Sequence, residues 1–181
     1  MSGNCEILLT GTGGQGLILA GQILAEAVVR DGKNAVQTQS YGPEARGGAS
    51  RAEVIISDGE IDYPLVTKPD VLLAMSKEAL KKFIGKLGEN SILMVDSTHI
   101  EEIPTTTARI YQIPYSKIAG ETLGKEMVAN IVALGALAAA TGVVTKESLT
   151  AALMSRIPRG TEALNQKALD IGWNSARQTA A

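Results

Sequence analysis

The sequence predicts an α/β fold: a three-layer, Rossmann-like domain whose mostly parallel sheet carries helices on both faces, followed by a helical C-terminal portion. Three observations predict it. Short apolar runs (EILLT at 6–10, DVLLAMS at 70–76, SILMVD at 91–96) are separated by longer stretches, several of them with helical character. Aromatics are only 3% of a chain that is 45% hydrophobic, so the core is built from Val, Ile, Leu and Ala, which suits a parallel sheet under closely packed helices. A glycine cluster, finally, sits between the first apolar run and the first helix.

The elements follow in order. Glu6 to Thr10 reads as a strand ending at the glycines, and Leu17 onward reads as a helix, apolar nearly all round, ending near Asp31-Gly32 with Gly as a left-handed cap. Asn34 to Ser40 returns to strand, completing the β–loop–α–β opening of a doubly wound sheet. After the polar loop at 41–50, Ala52 to Ser57 is a strand, and Asp58-Gly59 predicts a hairpin at the sheet edge running to Tyr63-Pro64. Asp70–Ser76 leads into an amphipathic helix through Leu87, and Ser91–Asp96 and Ala108–Ile113 are further strands. Beyond Ser116 the pattern turns helical: Lys117–Leu123, an uncharged helix, a third helix capped by Thr145 with Glu147 in its first turn, and a fourth capped by Thr161 with Glu162. No linker or repeat divides residues 1–181, so one domain is expected.

Composition excludes several functions. A net charge of −2 and no basic run leave no footprint for nucleic acid. Met127 to Thr145 lacks charge over nearly a membrane-spanning length, but Asn130, Gly135 and its alanines predict a buried or interface helix instead. Cys5 is the sole cysteine and reads as a buried, inert thiol; it cannot form an intrachain disulfide or ligate an iron–sulfur cluster unaided. With no secretory leader, a cytoplasmic location is expected. One cysteine and one histidine, His99, which reads as solvent-exposed, make a catalytic metal site an unsuitable reading.

Two loops carry the chemistry. Gly11-Thr12-Gly13-Gly14-Gln15-Gly16 satisfies G-x-G-x-x-G between strand and helix, where glycines allow close backbone approach and helix N–H groups favour an anion. A dinucleotide site also needs an acid closing the second strand, and that region reads Gln37-Thr38-Gln39-Ser40. Ligand contact and close packing therefore both stay open for this loop. The second loop, Ser40 to Ser50, sets Tyr41, Gly42, Pro43, Glu44, Arg46, Gly47 and Gly48 at the same sheet edge. Arg46 would grip a phosphate or carboxylate in a bidentate fork, and Glu44 would orient it, dock a partner or handle a proton. A surface turn with an incidental Glu–Arg pair is the alternative. Neither loop brings a nucleophile–base pair, so the domain contributes to a site without a catalytic set of its own.

GTGGQG at 11–16 together with SYGPEARGG at 40–48 resembles the gamma subunit of 2-oxoacid:ferredoxin oxidoreductases. The resemblance extends through ISDGEIDYP at 56–64, PDVLLAM at 69–75 and SILMVD, nearly the whole chain. YGPEARGGASR at 41–51 is most similar to the 2-oxoglutarate or branched-chain type, because pyruvate-type subunits carry a phenylalanine and a second arginine here. The resemblance implies alpha, beta and ferredoxin-like delta partner subunits. Thiamine diphosphate, Mg2+ and iron–sulfur clusters are then expected on those partners, with none bound by this chain alone. The implied reaction takes a 2-oxoacid and CoA to acyl-CoA, CO2 and reduced ferredoxin, and both loops are implied in the approach of CoA. Two alternatives remain at this point: the beta-type subunit of indolepyruvate oxidoreductase, which shares the domain, and a stand-alone NAD-binding Rossmann protein.

Overall fold

The computed structural model describes residues 4–40 and 49–179. Its six-stranded sheet has the order β2-β3-β1-β4-β5-β6, formed by β1 (Cys5–Thr12), β2 (Asn34–Ser40), β3 (Ala49–Ser57), β4 (Val71–Ala74), β5 (Ile92–Asp96) and β6 (Arg109–Ile113). Strands β1, β4, β5 and β6 pair in parallel, whereas β3 runs antiparallel to both β1 and β2. The predicted α/β class with a mostly parallel sheet is therefore the observed one. The central strands β4 and β5 are buried at every position, as expected for strands covered on both faces.

Helix α1 (Leu17–Arg30) packs on β2 and β3, together with α4 (Ala129–Thr141), α5 (Lys146–Arg156) and α6 (Glu162–Thr179), and these close the larger core around Ile7, Leu9, Val54 and Leu73. The opposite face, with Leu8, Ile55, Leu72 and Leu93, lies under α2 (Lys77–Phe83) and the segment around Ile100. A short α3 (Tyr115–Lys117) continues into a π-helical turn at Ile118–Thr122, where a regular helix over Lys117–Leu123 was expected. Helix α1 ends as the sequence predicts: Gly32 has φ +81°, its N–H reaches Val29 O, and Lys33 N–H reaches Val28 O, a Schellman closure. Thr145 caps α5 by accepting from Ser148 N–H. Thr161 stands directly before α6, where its carbonyl accepts from Asn165 N–H and its hydroxyl donates to Pro158 O.

The predicted β–α–β opening is present, with β2 running parallel to β1, but β3 is inserted between them. The Asp58-Gly59 hairpin is absent, and the antiparallel pairing near it is that of β2 with β3, across residues 41–48. Side-chain carboxylates take the place of a strand ladder after Ser57. Buried Glu53 accepts from Val66 N–H at 3.0 Å, and Glu6 accepts from Thr67 and Lys68 N–H at 2.7 and 3.0 Å.

Helix α4 is buried from Ala129 to Ala138 without interruption, in keeping with its uncharged sequence. Among the described residues no helix is long and apolar enough to cross a membrane. Small residues let α4 meet α6 backbone to backbone: a Cβ on Gly172 would strike Val132 O, and one on Gly135 would strike Leu169 O. Helix propensity alone would favour Gly172→Ala by about 1 kcal/mol. The clash reverses that sign, because the obstacle is a carbonyl fixed in a helix. We therefore expect Gly172→Ala to destabilise the fold by about 1–3 kcal/mol in denaturant titration; equal or greater stability would contradict the close-contact reading.

A polar clasp joins α5 to α1. Glu26 accepts from Arg30 Nη2 at 2.8 Å, from Ser155 Oγ at 2.8 Å and from Arg156 Nε at 2.5 Å. The Arg30 guanidinium, foremost, with Ser155 and Arg156, lowers the Glu26 pKa from 4.5 to about 2. A lowered folded-state pKa stabilises the fold above the unfolded value and loses that contribution as pH falls through the folded one. Glu26→Gln should thus be less stable than the parent at pH 7, with the difference in melting temperature closing between pH 4.5 and about 2. A difference that persists unchanged to pH 2 would contradict this.

Candidate functional site

The glycine loop begins inside the sheet. Gly11 and Thr12 still belong to β1, paired with Ser50 and Ala49, and the chain turns only at Gly13–Gln15 before α1. Gly16, at φ +71°, is the N-cap of α1 and provides no side-chain cap. Its left-handed backbone suits glycine, and any Cβ there would also press on the Asn130 amide, whose Nδ2 donates to Gly16 O at 2.9 Å. Asn130, in the first turn of α4, thereby ties the C-terminal helices to the loop.

Gln15 is the loop's clamp. Its Oε1 accepts from Thr12 N–H at 2.8 Å, and its Nε2 donates to Met75 O at 3.2 Å, just past the end of β4. The loop therefore satisfies internally an N–H that an anion-binding loop would offer to a phosphate. Gly14, Gln15, Met75, Ser116, Glu126, Met127 and Ala129 line a pocket of about 210 Å3 beside it. Its lining is neutral apart from Glu126, whose Oε1 lies 3.9 Å from His99 Nε2. Neutral amide, hydroxyl and thioether groups with one carboxylate suit an uncharged, narrow ligand segment better than a pyrophosphate.

The structure therefore brings Gly11, Gly13, Gly14, Gln15 and Gly16 together at the carboxyl edge of the sheet. Tyr41, Gly42, Pro43, Glu44, Arg46, Gly47 and Gly48 lie outside the described residues. Their flanks lie inside: Ser40 pairs with Arg51, Arg51 with Thr10, and Ala49 with Thr12, so the second loop leaves and re-enters the sheet at the edge of the glycine loop.

Cys5 is buried, and burial, with Asp70 nearby, pushes its thiol from 9.0 up to about 12, which fits the expected inert role. The His99 side chain is 43% exposed, as expected. Among the described residues no cluster of three His, Cys, Asp or Glu is positioned to hold a metal.

Sequence reasoning missed three buried or anchoring carboxylates. Asp96, fully buried at the end of β5, accepts from Ser116 Oγ at 2.6 Å, Ser116 N–H at 3.2 Å and Thr98 N–H at 3.0 Å, and so positions the pocket-lining Ser116. Glu53 and Glu6 hold the segment after β3 as described above. Only Asp96 left a trace in the sequence, as an acid closing an otherwise apolar strand.

The antiparallel insertion of β3 and the glycine loop clamped by Gln15 define an α/β domain with a pocket at the carboxyl edge of its sheet. The chain belongs to the pyruvate ferredoxin/flavodoxin oxidoreductase family, whose model matches residues 6–175. It is 47% identical over 176 residues to the 2-oxoglutarate synthase subunit KorC of Methanocaldococcus jannaschii, covering 96% of this chain and 94% of that one. The crystal structure of the keto/oxoacid ferredoxin oxidoreductase gamma subunit from Geobacter sulfurreducens PCA matches with a TM-score of 0.88 at 48% identity, over 96% of this chain and 99% of that one. The ketoisovalerate oxidoreductase subunit VorA of Methanothermobacter marburgensis is 34% identical over 134 residues, 74% of this chain but only 28% of the relative. These relatives answer the expected gamma-subunit reading and neither of its two alternatives.

The clamp yields a test. Gln15→Leu keeps the side-chain volume but leaves Thr12 N–H and Met75 O without their partner, so stability should fall by about 1–3 kcal/mol. Amide exchange at Thr12 should accelerate as well. An unchanged exchange rate would show that Gln15 does not organise the loop.

Proposed function

We propose that the chain serves as the gamma-type subunit of a 2-oxoglutarate:ferredoxin oxidoreductase, in which alpha, beta and ferredoxin-like delta subunits complete the enzyme. The observation that carries this reading is the end-to-end similarity to a 2-oxoglutarate synthase subunit, over 96% of this chain and 94% of that relative. The complex would oxidatively decarboxylate 2-oxoglutarate, pass the electrons to ferredoxin and transfer the acyl group to the CoA thiol. Thiamine diphosphate with Mg2+ supplies the carbanion chemistry on a partner subunit, and iron–sulfur clusters on partners carry the electrons.

This chain's share is to shape the approach of CoA and to join the complex. The neutral pocket beside Gln15 and Ser116 suits the amide-bearing arm of CoA, and Glu126 disfavours its phosphates there. The phosphates are assigned to Arg46, in the segment whose flanks stand at the same edge. VorA supports the partnership, since in that relative the matching region is a minor part of a longer polypeptide.

Purification from native cells should recover the chain with thiamine- and cluster-bearing subunits, with CoA-dependent turnover of 2-oxoglutarate by the complex and none by the chain alone. Isolation as a lone active enzyme would refute the reading. Arg46→Ala in the complex should raise the KM for CoA about tenfold or more, in line with loss of a charge-assisted contact of about 1.5–3 kcal/mol. Unchanged assembly and CoA dependence would remove Arg46 from the site.

A further inference from the structure

Away from the glycine loop, the sheet ends at β2, which pairs with β3 and no other strand among the described residues. A strand in that position presents unpaired backbone N–H and C=O groups along its outer side. Beside its N-terminal half runs an open groove of about 530 Å3, lined by Val29, Lys33, Asn34, Ala35, Val36, Glu60, Ile61 and Asp62. Val29, at the end of α1, is 59% exposed and adds apolar surface to the groove.

The rim of the groove is acidic. Lys33, its only cation, already lies 3.8 Å from Asp58, while Glu60 and Asp62 are exposed with no cation in ion-pair range among the described residues. The segment bearing them is held in place from both sides, by Asn34 Nδ2 donating to Gly59 O at 2.9 Å and by Glu53 and Glu6 on residues 66–68. Free edge, apolar floor and fixed acidic rim thus occur together.

We propose that this groove receives an extended segment of another subunit of the complex, added alongside β2 as a seventh strand, with aliphatic side chains flanked by Lys or Arg. Strand addition derives its affinity from main-chain hydrogen bonds and its specificity from pockets for alternate side chains. A second copy of this chain does not fit. Antiparallel β2–β2 pairing would bring Gln37, Thr38, Gln39 and Ser40 of the copy to the groove, and these offer neither apolar bulk nor positive charge. The inference rests on the multisubunit reading above.

The test compares amide exchange at residues 34–40 in the isolated chain and in the purified complex, alongside assembly of Glu60→Lys/Asp62→Lys. In the complex, exchange at alternate β2 amides should slow about tenfold or more, and the double variant should lower complex recovery about tenfold while melting like the parent. Equal exchange in both states overturns strand addition. Protection gained by the isolated chain on concentration assigns the edge to a second copy, and normal assembly of the double variant removes the basic partner. If the parent chain forms no complex at all, the multisubunit reading itself fails, which is a different result from an intact complex with an unprotected β2.

Discussion

The pairing of Thr12 with Ala49, and of Gly11 with Ser50, is the constraint on which the glycine-loop edge depends. Because β3 enters the sheet at that point and runs antiparallel, the chain must leave β2 and come back into β3 on the same side as the end of β1. Ser40 and Ala49 thus stand at the same end of the sheet as the glycine loop. A purely parallel order would have placed the return connection on the far side of the sheet. The same insertion buries Glu53 in the middle of the β2-β3-β1 array, where its carboxylate accepts from Thr38 Oγ1 and Val66 N–H and lies 3.3 Å from Arg51 Nε.

Among the described residues, several carboxylates hold segments of the chain in place. Glu6, Glu53 and Asp96 each receive backbone N–H groups from irregular segments, which would otherwise be left without partners near the core. Asp31 does the same across the helical layer, accepting from Thr145 N–H and from the hydroxyls of Thr145 and Ser148, so that the cap of α5 is fixed to the end of α1. Burial and packing leave one polar group unmatched: the Tyr115 hydroxyl, fully buried without a hydrogen-bond partner among the described residues, with its pKa pushed up by burial and by Asp96. Its ring belongs to the large apolar core, and that contact accounts for its position.

What was legible in the sequence was what local pattern decides. VLLA and ILMVD read as buried strands, Gly32 as a left-handed cap and the uncharged stretch as an enclosed helix, because each depends on neighbours within a turn or two. Strand order was not legible. A strand after a helix shows the same apolar pattern whether it lies beside β1 or one position further out, and only the direction of β3 distinguishes the two. Asp58-Gly59 misled for a related reason: the pair favours a tight turn, but the chain beyond it finds its hydrogen bonds on Glu53 and Glu6, far away in sequence. The position of the glycine loop was legible and its internal clamp was not, because Gln15 reaches Met75 across 60 residues.

That clamp also explains why a motif shared with dinucleotide-binding proteins serves a different purpose here. A pyrophosphate site needs free N–H groups at the helix start and an acid at the end of the next strand to hold the ribose. Here Thr12 N–H is engaged by Gln15, Gly16 O by Asn130, and the second strand ends in Gln39-Ser40. The glycines are needed for a separate reason: a Cβ on Gly11 would meet Gln15 Oε1, and one on Gly16 the Asn130 amide. They let the loop close tightly on its own side chains and on α4, beside a pocket whose lining is neutral apart from Glu126. In the relative VorA the matching region is 28% of a longer polypeptide, so the same fold also occurs there joined to further chain.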